Sequence, residues 1–584
     1  MILSASGWRK VFCNSGEEQD SSPEIGSANS LISQVAADTF FDYLVDKTKQ
    51  DFPVIAIGTD TRPTGKLIAN AMIRALINKN AIIQFLGITA APEIMAYSKK
   101  LDGFIYISAS HNPIGHNGMK FGINDGGVLT ASENAILTKE FLKKLNDEKY
   151  LEKLTEECNN CPTSKLNSVY NNCESSKYNA IKTYSDFMNE TISDTSNIIE
   201  QNKFFSLIDD YSSQNKIGIV CDFNGSARTA SIDKEFFTKH NINFYSINSK
   251  PGEIVHEIIP EAENLVYVAK EMERLHSENH HDVVLGYMPD CDGDRGNIVY
   301  WDEKQNKSII LKAKEVFSLS VLAELTFSLW KNKNNESFKQ AVGVNCPTSM
   351  RINEIAEKLG AKIFRAEVGE ANVVNLSREI RNSGYTVRIL GEGSNGGTIT
   401  YPSSVRDPLN TLFAILKLLI LRDNNGLFNI WCDKLNIKYN GSFTLSDVLL
   451  TIPCYTTTGV SENRAILKIK QTNHSILKRN FQKNFEEAWK KNPIIKKYGF
   501  TAWECVITNG TKETRNVKDF SLSEKGGLKI IFYKGDNNPV AFIWMRGSGT
   551  EPVFRVMCDV KGNEIEEEKE LLEFETMLLQ KSDI

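Results

Sequence analysis

The sequence lacks the features that mark several common classes of protein. Its most apolar run, Leu412 to Leu421, is too short to span a bilayer, and Lys417 interrupts it. Lys and Arg number 68 against 73 Asp and Glu, so no basic excess favours nucleic acid or an anionic membrane as a partner. The 11 cysteines are odd in number and scattered, which is not the pattern of a disulfide framework. The first residues lack the charged and then apolar stretches of a signal peptide, so we expect a cytoplasmic protein.

The sequence does contain three copies of a strand, turn and helix pattern in a chain of globular composition. At 584 residues, the chain is long enough for roughly four domains of about 150 residues each. The apolar, β-rich runs and the helical patterns that follow them are 54–60 with 65–78, 217–222 with 229–239, and 341–346 with 349–359. This order predicts βα units and mostly parallel sheets.

Two other segments differ in composition. Residues from about 140 to 205 are rich in Asn, Ser, Lys and Glu, which predicts helical hairpins or loops inserted on the surface. After about residue 436, short strands surround one helix and predict a smaller α+β domain. The predicted fold class is therefore three similar α/β domains with mixed, mostly parallel sheets and a smaller C-terminal α+β domain. The predicted boundaries are 1–205 with the insert, 206–305, 306–436 and 437–584.

The first motif is a serine-bearing loop. The apolar run Phe104–Ile107 predicts a buried strand, and Ser108-Ala109-Ser110-His111-Asn112-Pro113 follows it. Ligands gather at the carboxyl ends of strands in α/β sheets. A serine with a cation such as Lys120 nearby suits phosphoryl chemistry, because developing negative charge needs fixed positive partners. The alternative is a polar surface turn without chemistry.

The second motif is an acidic loop with alternating Asp290, Asp292 and Asp294. Ligands that are all oxygen, within one short loop, suit a hard divalent cation, and Mg²⁺ is the best match. Arg295 beside these aspartates suggests an anion bridged between metal and guanidinium. An EF-hand is excluded, because Arg295 stands at the sixth position and Trp301 at the twelfth. An acidic turn without a metal is the alternative.

Two further motifs are weaker when read alone. In Gly391-Glu392-Gly393-Ser394, the Glu and Ser side chains are spaced to reach two vicinal hydroxyls. In Arg546-Gly547-Ser548-Gly549-Thr550-Glu551-Pro552, side chains and backbone N–H groups could wrap a phosphate dianion. This loop has no P-loop lysine, so nucleotide binding is not expected. Each of the two motifs could also be an ordinary turn.

Together, and in this order, the four motifs resemble those of the α-D-phosphohexomutases. That family includes phosphoglucomutase, phosphomannomutase and phosphoglucosamine mutase. Ser6-Gly7-Trp8-Arg9 and Gly58-Thr59-Asp60-Thr61-Arg62 also resemble signatures of its first domain. The resemblance spans nearly the whole chain apart from the insert near 140–205. It implies a phosphoserine-bearing, a metal-binding, a sugar-binding and a phosphate-binding domain, in chain order.

The resemblance also implies a reaction, in which hexose 1-phosphate and hexose 6-phosphate interconvert through a phosphoserine and a hexose 1,6-bisphosphate, which is also the activator. The expected partners are small-molecule sugar phosphates, with the enzyme a monomer or dimer. The residues that the resemblance implies are Ser110, His111, Lys120, Arg9 and Arg295 for catalysis, Arg62, Glu392, Ser394, Arg546, Ser548, Gly549 and Thr550 for substrate, and Ser110, Asp290, Asp292 and Asp294 for Mg²⁺.

Three departures from the family pattern lie on the substrate side. Lys10 stands where a glycine usually follows the arginine, Gly396 stands where some members have a histidine, and a Thr-x-Val-Gly turn reads Ala366-Glu367-Val368-Gly369. Glucose or mannose is the expected sugar, and glucosamine is the alternative. The general base stays open between Lys120 and His111. A phosphatase and a non-catalytic sugar-phosphate sensor are the rival functions.

Overall fold

The computed structural model describes residues 1–423, 425–460, 462–535, 538–547 and 553–584. The chain divides into two compact units. The first comprises Met1–Leu311 and Ile399–Phe413, and the second comprises Lys312–Thr398 and Ala414–Ile584. None of the helices in the described ranges combines the length and the apolar character that crossing a membrane requires.

The first unit begins with a six-stranded mixed sheet in the order β1-β2-β6-β5-β3-β4. Its strands are β1 Ile2–Ser4, β2 Gly7–Val11, β3 Val54–Thr59, β4 Ile82–Ile88, β5 Gly103–Ile107 and β6 His116–Ile123. Strand β3 pairs in parallel with β4 and β5, whereas β6 pairs antiparallel with β5 and β2. Gly118 is required in β6, because a Cβ there would lie 2.6 Å from the carbonyl oxygen of Trp8.

Eight helices accompany this sheet along the chain. They are α1 Gly26–Thr48, α2 Gly65–Asn78, α3 Ala91–Ser98, α4 Ala131–Leu145, α5 Glu148–Asn159, α6 Thr163–Asn171, α7 Cys173–Ser193 and α8 Ile198–Gln214. A capping box starts α4, since Thr130 and Glu133 satisfy each other's backbone N–H groups. The segment near 140–205 is thus helical, and Leu154 and Cys158 of α5 join the core of the six-stranded sheet.

A five-stranded sheet follows in the first unit, in the order β11-β10-β9-β7-β8. Its strands are β7 Ile217–Asp222, β8 Ile242–Ile247, β9 Val283–Pro289, β10 Gly296–Asp302 and β11 Lys307–Ile310, with helices α9 Asp233–Lys239 and α10 Ala262–Ser277. The β7 strand pairs in parallel with β8 and β9, and β10 continues the sheet antiparallel.

The second unit contains two more sheets. The four-stranded sheet has the order β13-β12-β14-β15. Its strands are β12 Gln340–Asn345, β13 Ala361–Ala366, β14 Ile389–Glu392 and β15 Gly397–Thr400. The helices of this part of the chain are α11 Ala313–Lys331, α12 Arg351–Lys358, α13 Glu370–Asn382, α14 Pro408–Ile420, α15 Leu427–Leu435 and α16 Leu445–Leu449.

The last sheet is antiparallel along β16-β22-β21-β20-β18-β19, and β17 also pairs with β22. Its strands are β16 Tyr455–Thr457, β17 Ile466–Leu467, β18 Ala502–Asn509, β19 Lys512–Thr514, β20 Gly527–Lys534, β21 Asn538–Gly547 and β22 Phe554–Lys561. Helices α17 His474–Lys491 and α19 Ile565–Ser582 contribute to its core, and α18 is Pro493–Lys497.

The predicted fold class is confirmed: the protein is α/β, with mixed sheets built around parallel βα units and an antiparallel α+β part at the end. The helix predicted over 65–78 is α2 itself. The helix predicted from Thr229 begins later, at Asp233, because a 3₁₀ turn at Ala227–Ala230 first buries Arg228 against Asp233. The division into four domains with the boundaries given above stays a prediction.

Glu575 of α19 gives a stability prediction. Its carboxyl is fully buried and has no hydrogen-bond partner among the described residues, and burial raises its pKa well above the ordinary value. Glu575→Met should therefore raise the free energy of unfolding at pH 7 by about 1–3 kcal/mol. Denaturant or thermal unfolding of the two proteins measures the difference.

The pH dependence provides the check. The unfolded chain ionises near about pH 4.3, whereas the folded protein keeps this proton to higher pH, so the wild-type protein loses stability as pH rises above that value. The gain from Glu575→Met should therefore be larger at pH 7 than at pH 4. Glu573→Met, an exposed position on the same helix, should change stability by less than about 0.5 kcal/mol. An equal effect of the two variants would contradict the prediction.

Candidate active site

Ser110 lies in the loop that follows β5, at the carboxyl end of that strand. Its backbone is left-handed, with φ of 55°, and its N–H donates to the Oγ of Ser108 at 2.8 Å. The hydroxyl of Ser110 is buried and donates to Oδ2 of Asp290 at 2.8 Å. The loop thus presents one specific serine to the acidic loop, and Ser108 helps to hold the backbone in this uncommon conformation.

Arg62 donates to the backbone of the same serine loop. Its side chain is fully buried and pairs with Asp60 at 3.2 Å, and its predicted part in binding substrate stays a prediction. Its guanidinium donates to four carbonyls of the serine loop, those of Ser110, Asn112, Pro113 and His116, at 2.5–3.1 Å. With its donors used in this way, Arg62 shapes the serine loop.

The three predicted metal ligands lie together in the loop that follows β9. Asp290, Asp292 and Asp294 are buried, and each offers a carboxylate oxygen within 4.8 Å of the others. The Oδ1 atoms of Asp292 and Asp294 have no hydrogen-bond partner among the described residues. Buried carboxylate oxygens without a partner are costly, so a hard divalent cation fits this donor set.

Three basic side chains of the first unit surround these carboxylates. The Nζ of Lys120 lies 2.6 Å from Asp292 and 3.7 Å from Asp294. Arg295 lies 3.8 Å from Asp290, and its own backbone N–H donates to that carboxylate. Arg406, which the sequence analysis missed, lies 2.9 Å from Asp294. The site therefore combines three negative and three positive groups in a buried setting, which suits an anionic, phosphate-bearing ligand.

The carboxylates differ in their affinity for protons. Burial and then the charges of Asp292 and Asp294 raise the pKa of Asp290 to about 8. Burial alone would also raise the pKa of Asp292, but the charge and hydrogen bond of Lys120 outweigh it and lower that pKa. Asp290 thus keeps its proton more readily than Asp292 does, because it is buried beside two other carboxylates, and a bound cation would relieve the repulsion among the three.

His111 and Lys120 differ in protonation. The charge of Arg295 and then burial lower the pKa of His111 to about 2, and Nδ1 of His111 accepts a hydrogen bond from Arg295 at 2.8 Å. That Nδ1 atom lies 3.3 Å from the hydroxyl of Ser110. Burial would lower the pKa of Lys120, but Asp292 and Asp294 outweigh it and raise that pKa. Lys120 is therefore protonated and His111 neutral.

Arg9 belongs to the same cluster of charges. It lies in β2, opposite Gly118 of β6. Burial lowers its pKa, and Asp292 and Asp294 oppose that shift. The structure thus brings Arg9 together with Ser110, His111, Lys120, Arg295 and the three aspartates in the first unit.

The predicted sugar-binding residues lie in the second unit, after β14. Asn345, at the end of β12, donates from its amide to Oε1 of Glu392 at 3.1 Å and to the hydroxyl of Ser394 at 3.2 Å. The backbone N–H of Gly369 also donates to Glu392, at 2.8 Å. Glu392 is thus held in place by Asn345 and Gly369, and Asn345 is a supporting residue that no motif indicated.

Arg546 stands at the end of β21, also in the second unit. Its Nε lies 3.0 Å from Oε1 of Glu367, in the turn between β13 and α13. The predicted phosphate-binding residues Ser548, Gly549 and Thr550 lie outside the described residues.

Comparison with known proteins gives a consistent result. Family models described as phosphoglucomutase/phosphomannomutase, alpha/beta/alpha domains I and III, match residues 18–148 and 320–429. A phosphoglucosamine mutase of Methanococcus aeolicus is 25% identical over 524 residues, which cover 89% of this chain and 90% of that protein. A phosphoglucosamine mutase of Methanococcus vannielii is 26% identical over 337 residues, which cover 57% of this chain and 63% of that protein.

Solved structures agree in fold. A phosphoglucomutase/phosphomannomutase family protein from Burkholderia thailandensis has a TM-score of 0.62 at 14% identity, covering 100% of this chain and 97% of its own. The phosphoglucomutase parafusin from Paramecium, in an open form, has a TM-score of 0.63 at 15% identity, covering 99% and 94%. At these identities the likeness concerns the fold alone.

The fold and the buried serine beside an acidic loop match an α/β protein of the phosphohexomutase type. Residues 18–148 and 320–429 match the phosphoglucomutase/phosphomannomutase family models, which confirms the resemblance to the α-D-phosphohexomutases that the motifs predicted.

Proposed function

We propose that the protein is a phosphohexomutase that interconverts hexose 1-phosphate and hexose 6-phosphate. Ser110 would carry the phosphoryl group, and a hexose 1,6-bisphosphate would be the intermediate. The observation that carries this proposal is the 2.8 Å hydrogen bond from the buried hydroxyl of Ser110 to Asp290, within a cluster of three carboxylates and Lys120. A structural turn would not need this concentration of buried charge.

The chain's own residues account for the transfer step. The bond between phosphorus and the Oγ of Ser110 breaks as phosphorus bonds to the sugar hydroxyl, whose proton passes to a base. Lys120, held protonated by Asp292 and Asp294, suits donation of a proton to the departing Ser110 oxygen. Arg295 and Arg9 supply positive charge where the transferring phosphoryl group develops negative charge. The second half-reaction is the reverse, with the other phosphate of the intermediate.

Mg²⁺ is the cofactor that we propose for the acidic loop. Asp290, Asp292 and Asp294 would hold it together with the phosphorylated Ser110. When bound there, Mg²⁺ would neutralise part of the phosphate charge and polarise the bond that breaks.

The second unit would provide substrate recognition. Glu392 and Ser394, both held by Asn345, would bind ring hydroxyls, and Arg546 would bind the phosphate that is not reacting. Glucose or mannose stays the main proposal for the sugar. Glucosamine is the alternative, since curated relatives carry the name phosphoglucosamine mutase. Action in the cytoplasm as a monomer or dimer stays a prediction.

The test is a substrate panel. Glucose 1-phosphate, mannose 1-phosphate and glucosamine 1-phosphate are each incubated with the protein, Mg²⁺ and a catalytic amount of the matching 1,6-bisphosphate. Formation of the 6-phosphate, dependent on the bisphosphate, is the expected result for at least one sugar. Release of inorganic phosphate instead would indicate a phosphatase, and binding without turnover would indicate a sensor.

Arg546 provides a prediction for the substrate side. Arg546→Ala should weaken binding of hexose phosphate by about 1.5–3 kcal/mol, because a charge-assisted hydrogen bond to phosphate is lost. Steady-state kinetics should then show a KM roughly 10- to 150-fold higher. Transfer should also slow, since binding of the remote phosphate helps to align the reacting hydroxyl.

Arg515→Ala is the matched control, because Arg515 also pairs with a glutamate, Glu504 of β18, at 2.6 Å. It should leave KM unchanged. If Arg546→Ala behaves like this control, the end of β21 is a structural turn and the phosphate site lies elsewhere.

A further inference from the structure

The ion pair between Glu367 and Arg546 joins the two sheets of the second unit. Glu367 lies in the turn after β13 of the four-stranded sheet, and Arg546 is the penultimate residue of β21 in the last sheet. Their Oε1 and Nε atoms are 3.0 Å apart. Glu367 also occupies the variable position of the turn in which this sequence departs from the family's Thr-x-Val-Gly pattern.

The carboxylate of Glu367 is rigidly held. The N–H of Val368 donates to Oε1 at 2.8 Å, the hydroxyl of Thr508 donates to Oε2 at 3.0 Å, and the N–H of Gly527 donates to the same oxygen. The side chain is buried, and its backbone N–H donates to the carbonyl of Gly510. A carboxylate with this many donors stays charged and fixed, so Arg546 docks on an immobile partner.

Two basic residues, Lys478 and His474, lie close to Arg546. Lys478 is buried and donates to the carbonyls of Glu524 and Gly526, at 2.9 and 2.6 Å. The ring of His474 packs against Gly547, where a Cβ would lie only 2.0 Å from a ring carbon. Burial lowers the pKa of Lys478 to about 7 and also lowers the pKa of His474, so Arg546 is the permanent positive charge beside Glu367.

We propose that Glu367 is a positioning residue for phosphate binding: it fixes Arg546 through Nε, so that the guanidinium is already oriented when a sugar phosphate arrives. This inference rests on the proposed function. A free arginine loses rotamer freedom when it binds, and a guanidinium that is already docked loses less. If Glu367 instead competed with phosphate for Arg546, loss of the Glu367 charge would strengthen phosphate binding.

The experiment measures binding of inorganic phosphate by calorimetry and KM for the best hexose 1-phosphate. Glu367→Gln removes the charge and leaves the amide nitrogen facing the donors of Thr508 and Gly527. We expect the Kd for phosphate and the KM each to rise about tenfold, through loss of preorganisation. In an Arg546→Ala background the same substitution should change neither value further, because coupling through one shared partner is not additive.

The control is Glu379→Gln. Glu379 of α13 accepts a hydrogen bond from Thr511 at 3.0 Å and so also joins the two parts of the second unit, and none of its described contacts involves Arg546. It should leave both values unchanged. If Glu367→Gln does not fold, Thr508→Val carries the test, since it removes one donor to the carboxylate and should raise Kd in the same direction.

Two results would overturn the inference. A lower Kd for Glu367→Gln would show that the carboxylate competes with phosphate. If Glu367→Gln raised Kd and KM as much in the Arg546→Ala background as in the wild-type protein, Glu367 would have only a structural role. A third result would separate the two proposals. If the protein showed no mutase turnover but Glu367→Gln still raised the Kd for phosphate about tenfold, the proposed function would be overturned and the inference would stand.

Discussion

Ser110→Ala should abolish mutase turnover, with a loss of at least about 10³-fold, because the substitution removes the oxygen that carries the phosphoryl group. The hydroxyl of Ser110 donates to Asp290, and the backbone of the loop aims it there. Mass spectrometry of the active wild-type enzyme should find the phosphate on this residue. Incubation of Ser110→Ala with hexose 1,6-bisphosphate should leave the protein unphosphorylated.

Ser108→Ala is the matched control in the same loop. Its hydroxyl accepts the N–H of Ser110 and so supports the loop, but it does not face the acidic loop in any described contact. This variant should therefore be slower than the wild type yet remain phosphorylated on Ser110. Full turnover by Ser110→Ala, with phosphate found on another residue, would refute the assignment of the carrier.

Local patterns in the sequence predicted much of the fold. Apolar β-rich runs followed by small residues indicated β3, β7 and β12, because such runs are buried in parallel sheets and their turns lead directly into helices. The antiparallel strands β6 and β10 carry a weaker local signal. Each of them pairs with a strand on the other side of a loop, β6 with β5 and β10 with β9. Local propensity does not determine which strand is the partner.

The candidate site shows the same limit. Asp290, Asp292 and Asp294 share one loop, so their spacing alone indicated a metal site. Arg406 has no motif of its own, and it reaches Asp294 across 112 positions of sequence. Pairing between residues so far apart is set by tertiary packing, which sequence reasoning cannot supply. Arg62 shows a different limit. The sequence motif singled it out, but only the structure shows that its guanidinium donates to carbonyls of the serine loop.

Removal of the divalent cation should have the second largest effect. With a chelator present, or with Asp292→Asn, we expect transfer to lose several kcal/mol of transition-state stabilisation, which is roughly 10²- to 10⁴-fold in rate. Asp292 is fully buried, and one of its oxygens has no partner among the described residues. Its other oxygen pairs with Lys120, so the substitution also removes the partner of that cation.

Thermal unfolding gives a readout that does not depend on activity. If the acidic loop binds Mg²⁺, the ion should stabilise the folded wild-type protein by about 2.7 kcal/mol at a concentration one hundred times its Kd. Asp292→Asn should show little of this stabilisation at the same concentration, because a three-carboxylate site has lost one charge. Asp282→Asn is the control, since Asp282 immediately precedes β9 at its amino end, opposite the metal loop, and pairs with Asn243. Equal Mg²⁺ stabilisation in all three proteins, or unchanged turnover in a chelator, would mean that the acidic loop does not hold the catalytic cation.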